Sequence, residues 1–172
     1  EPWDRSDGFL LEYTHILTRG DRLEAVLVEQ VDRRLREGRD DELSILRVAA
    51  LAGSAGAILS VSKLANTLGL TQANFTRALR RLVDEHLVAE PIAGQIKGLH
   101  QMRSAVLFDV CHACPPPIVF DTVLQVIDSV ASESLQVLTT HVIINFIDNA
   151  DEFIRHMAAR ISSEGDPVAA IS

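Results

Sequence analysis

A mainly α-helical fold that carries one short β-hairpin is predicted by three features of the sequence. Hydrophobic residues make up 47% of the chain and aromatic residues only 5%, a balance typical of helices that pack through leucine, valine, isoleucine and alanine. Most segments repeat their apolar residues at intervals of three and four. In residues 87–99, by contrast, two short extended stretches flank Pro91-Ile92-Ala93-Gly94, which predicts two strands joined by a turn.

The first part of the chain predicts three helices. Residues 9–18 form a short apolar segment that stops at Gly20, and residues 21–37 form a longer helix that ends at Gly38. The inner face of this longer helix is expected to consist of Leu23, Val26, Leu27, Gln30, Val31, Arg34 and Leu35. Residues 41–52 are apolar nearly all round, so they predict a central helix, which Gly53 and Gly56 are expected to break.

The next segment carries the strongest pattern. Residues 58–60 predict a short extended piece and residues 61–68 a short helix, which a tight turn over 69–71 connects to a second helix over 72–86. Thr71 suits the N-cap of this second helix. Its inward positions are expected to be Phe75, Ala78, Leu79, Leu82 and Val83. Strands over 87–90 and 95–99 follow. Helix, glycine-containing turn, helix and hairpin, in that order, predict a winged helix-turn-helix.

The remaining sequence predicts more helices and a division into three parts. Helices are expected over 101–111, 119–131, 134–147 and 150–163, with an extended break at Pro115-Pro116-Pro117. We therefore expect a helical segment over residues 1–40, the winged helix-turn-helix over 41–114, and a C-terminal helical segment over 115–172.

The charge distribution limits where nucleic acid could bind. The net charge is −8. Residues 41–114 carry seven basic and six acidic side chains, or +1, whereas residues 115–172 carry two and eight, or −6. Binding to a phosphate backbone would therefore be confined to the middle of the chain. The candidate DNA-contacting residues are Asn74, Arg77, Arg80, Arg81 and Lys97. The alternative is that this is an ordinary solvated helix face.

The motifs expected of an enzyme are missing from the sequence. It contains no Gly-x-Ser-x-Gly, no His-Glu-x-x-His and no Gly-x4-Gly-Lys-Ser/Thr. Cys111 and Cys114 have the spacing of half a zinc site, but no second cysteine pair completes it. We therefore expect neither a catalytic activity nor a metal site. The sequence also shows no targeting segment, and its longest uncharged apolar run, residues 134–147, is too short to span a bilayer, so a cytoplasmic location is expected.

Four segments resemble the lid and winged-helix region of STAND-type signalling ATPases, which are relatives of AAA+ proteins. They are Asp7–Tyr13 with the helix after it, LRVAALAG at 46–53, ALRRLVDEHLV at 78–88 and KGLHQMR at 97–103. In that family a P-loop domain is followed by a helical lid, a winged helix and then helical repeats. The resemblance implies that residues 1–40 are the remnant of the lid and that residues 115–172 begin a repeat array.

The resemblance also implies a role for one histidine. Many members place a histidine after the wing, and in eukaryotic members it stands in a Met-His-Asp motif and contacts the nucleotide phosphates in the closed state. His100 occupies that place, although Leu99 and Gln101 replace the flanking Met and Asp. The P-loop domain has no counterpart here, so ATP or ADP is implied only for a longer protein. The implied partners are that P-loop domain and other proteins that bind the C-terminal helices.

Two functions are therefore expected, in order of preference. The first is a non-catalytic regulatory module of a signalling ATPase that closes over the nucleotide-binding domain and relays its state, with His100 sensing the nucleotide. The alternative is a winged-helix DNA-binding transcriptional regulator. A DNA reader predicts a continuous basic face over residues 72–86 and the wing, whereas a regulatory module predicts an apolar or mixed face there.

Overall fold

The computed structural model describes residues 22–98, 100–112 and 119–164, which form a mainly helical structure with one small sheet. The helices are α1 over 22–36, α2 (Asp40–Ala55), α3 (Val61–Thr67), α4 (Gln72–Asp84), α5 (Gln101–His112), α6 (Val119–Ser129), α7 (Leu135–Asn145) and α8 (Ala150–Glu164). Short 3-10 turns over Ser132–Ser134 and Ile147–Asn149 flank α7. The strands are β1 (Ile58–Ser60), β2 (Val88–Ala89) and β3 (Gln95–Gly98). The helix predicted over 9–18 and the break at Pro115–Pro117 lie outside the described residues.

Helix α2 lies at the centre of the structure, as its apolar sequence predicts. It packs against α4, α5, α6, α7 and β3, and Leu46, Val48 and Leu51 are almost inaccessible to solvent. The prediction that Gly53 breaks this helix is wrong, because α2 continues to Ala55 and ends only at Gly56, which adopts a left-handed conformation with φ of 74°. Gly53 serves instead as a site of close approach. A Cβ atom there would lie 3.0 Å from the Cα of Gly98.

The sheet is antiparallel, with strand order β1-β3-β2. Ile58 pairs with Lys97 on one side of β3, and Ala89 pairs with Lys97 on the other. A bridge between Leu59 and Val130 connects β1 to the chain that follows α6. The first hairpin strand is shorter than predicted, whereas the second begins at Gln95 as predicted and extends to Gly98. Leu99, its last predicted residue, lies outside the described residues. The sheet therefore joins the middle of the chain to its C-terminal helices.

Helix α4 follows its sequence pattern closely. The Thr71 hydroxyl accepts a hydrogen bond from the Asn74 amide at 3.3 Å, which caps the first turn. The inner residues are almost fully buried: Phe75, Ala78, Leu79 and Leu82. Val83, predicted to face inward, is only half-buried, although it packs against the core. The helix ends at Asp84, two residues earlier than predicted.

The buried face of helix α1 is narrower than its predicted inner face, because residues at both edges of the predicted stripe are exposed. Leu27, Val31 and Arg34 are buried, whereas Val26 is 54% exposed and Leu35 is 41% exposed. Arg34, the one charged residue of the predicted stripe, is buried against acidic residues of α2 and of the chain after α4. The inner face of α1 therefore contains an ion-paired arginine as well as aliphatic residues.

Helices α6, α7 and α8 start and end within two residues of their predicted positions. Arg160 of α8 is buried and donates hydrogen bonds to the carbonyl oxygens of Ile127 and of Val130, the latter at 2.6 Å. These carbonyls lie at the C-terminal end of α6, where a cation is favoured. No helix in the described part of the chain is both long enough and apolar enough to cross a lipid bilayer.

Candidate interaction surface on helix α4 and at His100

The polar face of α4 lies at the surface. The predicted DNA-contacting residues on this helix are all exposed: Asn74, Arg77, Arg80 and Arg81. Lys97 is also exposed, on β3. The helix phase that buries Phe75 and Leu82 therefore turns three guanidinium groups outward. Exposure alone does not make this a basic surface, because the neighbouring charges decide its sign.

The arginine nearest the end of α4 is held by an acidic residue. The Arg81 guanidinium donates to the Glu42 carboxylate at 3.2 Å, and the Arg81 side chain remains 52% exposed. Glu42 belongs to the first turn of α2, and its side chain is only 3% exposed. Part of the positive charge of Arg81 is therefore neutralised within the chain.

A cleft of about 410 Å³ separates α4 from the junction between α1 and α2. Its walls combine four acidic residues and three arginines with small and polar residues: Glu37, Gly38, Arg39, Asp40, Asp41, Glu42, Asn74, Arg77, Ala78 and Arg81. Three of the carboxylates form the first turn of α2, where the helix dipole favours negative charge. The face of α4 that borders this cleft is therefore mixed in charge.

A partly buried ion-pair network that sequence reasoning did not identify shares Arg39 and Glu42 with the cleft. Arg34 of α1, which is fully buried, has its Nε atom 3.1 Å from Glu42 and donates to Glu85 at 2.6 Å. Arg33 also donates to Glu85, and Arg39 lies 3.5 Å from Glu42 and 3.4 Å from Glu85. The network thus joins α1, the start of α2 and the end of α4.

The sequence carried one signal for this network. An arginine at an apolar position of a helix stripe is rarely buried without an acidic partner. Arg34 occupies such a position, but the partners, Glu42 and Glu85, lie 8 and 51 residues further along the chain. Only the packing of α1 against α2 and α4 identifies them.

The electrostatics of Glu85 follow from its arginine partners. Burial by itself would raise the pKa of the Glu85 carboxyl. The hydrogen bond and charge of Arg34, together with the charges of Arg33 and Arg39, outweigh burial and lower that pKa below its ordinary value. Burial similarly acts to lower the pKa of Arg39, but the charges of Glu42, Glu37 and Glu85 raise it. Both groups are therefore held in their charged forms.

His100 lies on the surface, between β3 and α5. Its Nδ1 atom accepts a hydrogen bond from the Met102 amide at 3.2 Å, and the ring is exposed. His100 therefore caps the N-terminus of α5. Because Nδ1 acts as an acceptor, the neutral ring carries its proton on Nε2, which is a donor available at the surface.

The histidine next to the cysteines has a local role. His112 of α5 is half-buried, with Nδ1 2.8 Å from the Phe108 carbonyl oxygen and Nε2 3.0 Å from the Thr122 hydroxyl of α6. Burial lowers its pKa. Cys111 is buried, and Cys114 lies outside the described residues. In the parts of the chain that the structure describes, no cluster of three or more His, Cys, Asp or Glu side chains is arranged to hold a metal ion.

The chain was also compared with protein-family models, with curated proteins and with solved structures, and none of the three comparisons found a match.

Proposed function

We propose that the chain is a non-catalytic regulatory module built on a winged helix-turn-helix, which closes over the nucleotide-binding domain of a larger signalling ATPase. The observation that carries this proposal is the mixed charge of the α4 face. Arg81 is paired with Glu42, and Arg77 shares a cleft with Asp40 and Asp41. A phosphate backbone that approached this face would meet carboxylates as well as arginines.

The element order supports the winged helix-turn-helix part of the proposal. Helices α3 and α4 are joined by a turn centred on Gly69, which has φ of 62°, and the β2–β3 hairpin follows directly. Strand β1 precedes α3 and pairs with β3. Helix α2 packs behind this unit. A third helix behind the two-helix motif and a hairpin that completes a small sheet are the expected parts of such a domain.

The position of His100 supports the nucleotide-sensing part. It stands at the exit from the hairpin, where a neighbouring domain could reach it, and its Nε2 proton is a suitable donor to a phosphate oxygen. The buried network of Arg34, Glu42 and Glu85 joins α1 to this unit. In this proposal α1, as the remnant of the lid, therefore moves together with the rest of the module.

The proposal is tested on the reading frame upstream of residue 1. A Gly-x4-Gly-Lys-Ser/Thr motif there would identify the P-loop domain, and the longer protein would then be produced with His100 intact and as His100→Ala. We expect the variant to release ADP faster, with affinity lower by roughly 10- to 100-fold, the loss of one hydrogen bond to a charged group. Unchanged ADP affinity would contradict the nucleotide-sensing role, and an upstream frame without the motif would contradict the ATPase assignment.

The alternative is a DNA-binding regulator, and one observation favours it. Arg77 and Arg80 are exposed on the same helix as Asn74, with Lys97 exposed on the hairpin. Fluorescence anisotropy of the chain with a random pool of labelled duplexes at physiological salt separates the two functions. Selection of one sequence with a Kd below about 10⁻⁸ M, lost in Arg77→Ala/Arg80→Ala, would favour the regulator. We expect no such selection.

A further inference from the structure

Helix α7 has apolar residues on both its inner and its outer side. From Leu135 to Asn145 it contains no Asp, Glu, Lys or Arg. Its inner side is fully buried at Leu138 and Val142, and His141 places its Nε2 atom 3.3 Å from the Ser54 hydroxyl of α2. The outer side of α7 is not covered by the described residues.

The exposed residues of this outer side form one stripe. Val137, Thr140 and Ile144 follow one another at intervals of three and four, and Ile147 lies just beyond the helix, in the next 3-10 turn. Ile144 is 69% exposed and Ile147 is 74% exposed. We call these four residues the outer stripe. Single exposed aliphatic residues are ordinary, but Val137, Ile144 and Ile147 are grouped within one short segment, and such a group indicates an interaction surface.

The outer stripe is bordered by negative charge. Glu133 lies before α7, and Asp148, Asp151 and Glu152 follow Ile147; all four are exposed. Residues 119–164 carry seven carboxylates and two arginines. One of these arginines, Arg160, is buried against carbonyl oxygens at the end of α6. An apolar row with acidic ends is complementary to a helix that has one apolar face and basic flanks.

We propose that the outer stripe binds a basic amphipathic helix of a partner protein. The partner helix would place its apolar residues on Val137, Ile144 and Ile147, and its lysines or arginines beside Glu133 and the Asp148–Glu152 carboxylates. A second copy of this chain would bring two acidic borders together, and an anionic membrane would be repelled in the same way. This inference goes beyond the proposed function and does not depend on it.

The test uses the whole chain and two labelled helical peptides of roughly four turns. Both carry leucine at intervals of three and four; one has lysine on its flanks and the other has glutamate. In fluorescence anisotropy we expect the lysine peptide to bind and the glutamate peptide to bind at least tenfold more weakly. The Ile144→Gln/Ile147→Gln variant should weaken binding of the lysine peptide by tenfold or more. Asp148→Asn/Asp151→Asn should weaken binding of the lysine peptide by several-fold, and this effect should become smaller at high salt, which screens the charges.

The matched control is Val26→Gln/Leu35→Gln, which likewise replaces two exposed apolar residues with glutamine, but on α1. We expect this variant to bind the lysine peptide as well as the unmodified chain does, and all variants to retain the same circular dichroism spectrum.

Equal binding of the two peptides, or a loss of binding in the control variant as large as that in Ile144→Gln/Ile147→Gln, would overturn the proposal. So would dimerisation that Ile144→Gln/Ile147→Gln abolishes, because the occupant would then be a second copy. A chain ending at Glu164 that binds the peptide tenfold more tightly would also overturn it, since the occupant would be the chain's own C-terminal residues.

Discussion

At the scale of single residues, two glycines and one serine determine how closely three elements approach. A Cβ atom on Gly98 of β3 would lie 2.8 Å from the Cα of Gly53 in α2 and 2.4 Å from the hydroxyl oxygen of Ser104 in α5. The first of these neighbours is backbone, which cannot rotate away. These elements can pack at this distance only because both backbone positions lack a side chain.

This close approach makes Gly53→Ala a sharp test. Alanine is favoured over glycine in a helix by about 1 kcal/mol, but the added methyl group must displace packed backbone, which typically costs about 1–3 kcal/mol. We expect a net loss of stability in urea unfolding for Gly53→Ala, and a larger loss for Gly98→Ala, which gains no helix propensity. If Gly53→Ala is instead more stable than the unmodified chain, the contact between α2 and β3 is looser than described here. Adding Ser104→Ala to Gly98→Ala should restore only part of the loss, because the clash with Gly53 remains.

The buried ion pairs provide a second test at this scale. Arg34 is fully buried between Glu42 and Glu85, whereas Arg36, two residues away on the same helix, pairs with Glu29 at the surface with 66% of its side chain exposed. Arg34→Ala leaves the buried Glu42 carboxylate without its closest partner and should cost about 3–5 kcal/mol. Arg36→Ala should change the free energy of unfolding by less than about 1 kcal/mol. Similar effects of the two changes would contradict the burial of the network.

At the scale of secondary-structure elements, four helices end in the same way. Each has an i→i−5 backbone hydrogen bond around a residue with positive φ: Arg39 to Arg34, Ala57 to Ala52, Leu70 to Ala65 and Leu87 to Leu82. In the first three the residue with positive φ is Gly38, Gly56 or Gly69, but at the end of α4 it is His86, with φ of 54°. The left-handed conformation disfavours a residue that carries a Cβ atom.

His86→Gly is therefore expected to stabilise the protein by up to about 1 kcal/mol, since it relieves this backbone strain. His86→Ala retains the strain and serves as the matched control, so it should give no comparable gain. Both are measured by thermal or urea unfolding. If the glycine and alanine variants are equally stable, the strain at position 86 does not exist.

The two faces of α4 predict contrasting effects of truncation. Leu82 is fully buried, so Leu82→Ala should cost about 2–5 kcal/mol by removing packed methyl groups and leaving a cavity. Arg77 is exposed on the opposite side of the helix, so Arg77→Ala should change stability by no more than about half a kcal/mol. Both variants are measured by chemical denaturation. Two small and equal effects would show that the buried face of α4 is assigned wrongly.

At the scale of the whole molecule, one hydrophobic core extends from α1 to α8, including Leu27 at one end and Met157 at the other. Two half-buried histidines lie at helix contacts around it. His112 bonds α5 to α6, and His141 bonds α7 to α2. Burial lowers the pKa of both below the ordinary value of 6.5. Each therefore favours the folded state in its neutral form.

The pH dependence of stability follows from these directions. The histidine contribution is fully present above the unfolded pKa of 6.5 and is lost as pH falls through that value towards the lower folded pKa. The contribution of Glu85, whose folded pKa is below 4.5, is lost only at still lower pH. We therefore expect urea stability to decrease in two stages on acidification. His112→Gln/His141→Gln should reduce the first stage and Glu85→Gln the second. A stability that rises between pH 7 and 5 would contradict the assignment of the first stage to the histidines, and a second stage that is unchanged in Glu85→Gln would contradict the assignment to Glu85.

Much of this architecture follows from the sequence alone. The mainly helical class, the order of the elements and the buried face of α4 are all readable, because intervals of three and four, caps such as Thr71 and turn residues such as Gly69 act within a few positions of each other. The exposure of Asn74, Arg77, Arg80 and Arg81 follows from the same periodicity. Local patterns are sufficient for each of these features.

Other features were decided only by the tertiary structure. The sequence pattern suggested that Gly53 ends α2, but its role comes from Gly98, 45 residues away, and it lies inside the helix. The ion-pair partners of Arg34 are Glu42 and Glu85, which only the packing of α1 against α2 and α4 identifies, and the charge of the α4 face depends on the start of α2. In each case the deciding neighbour is distant in sequence, and periodicity carries no information about which distant residues meet. Long-range packing therefore determined the electrostatics of the candidate site, while local pattern determined the elements that present it.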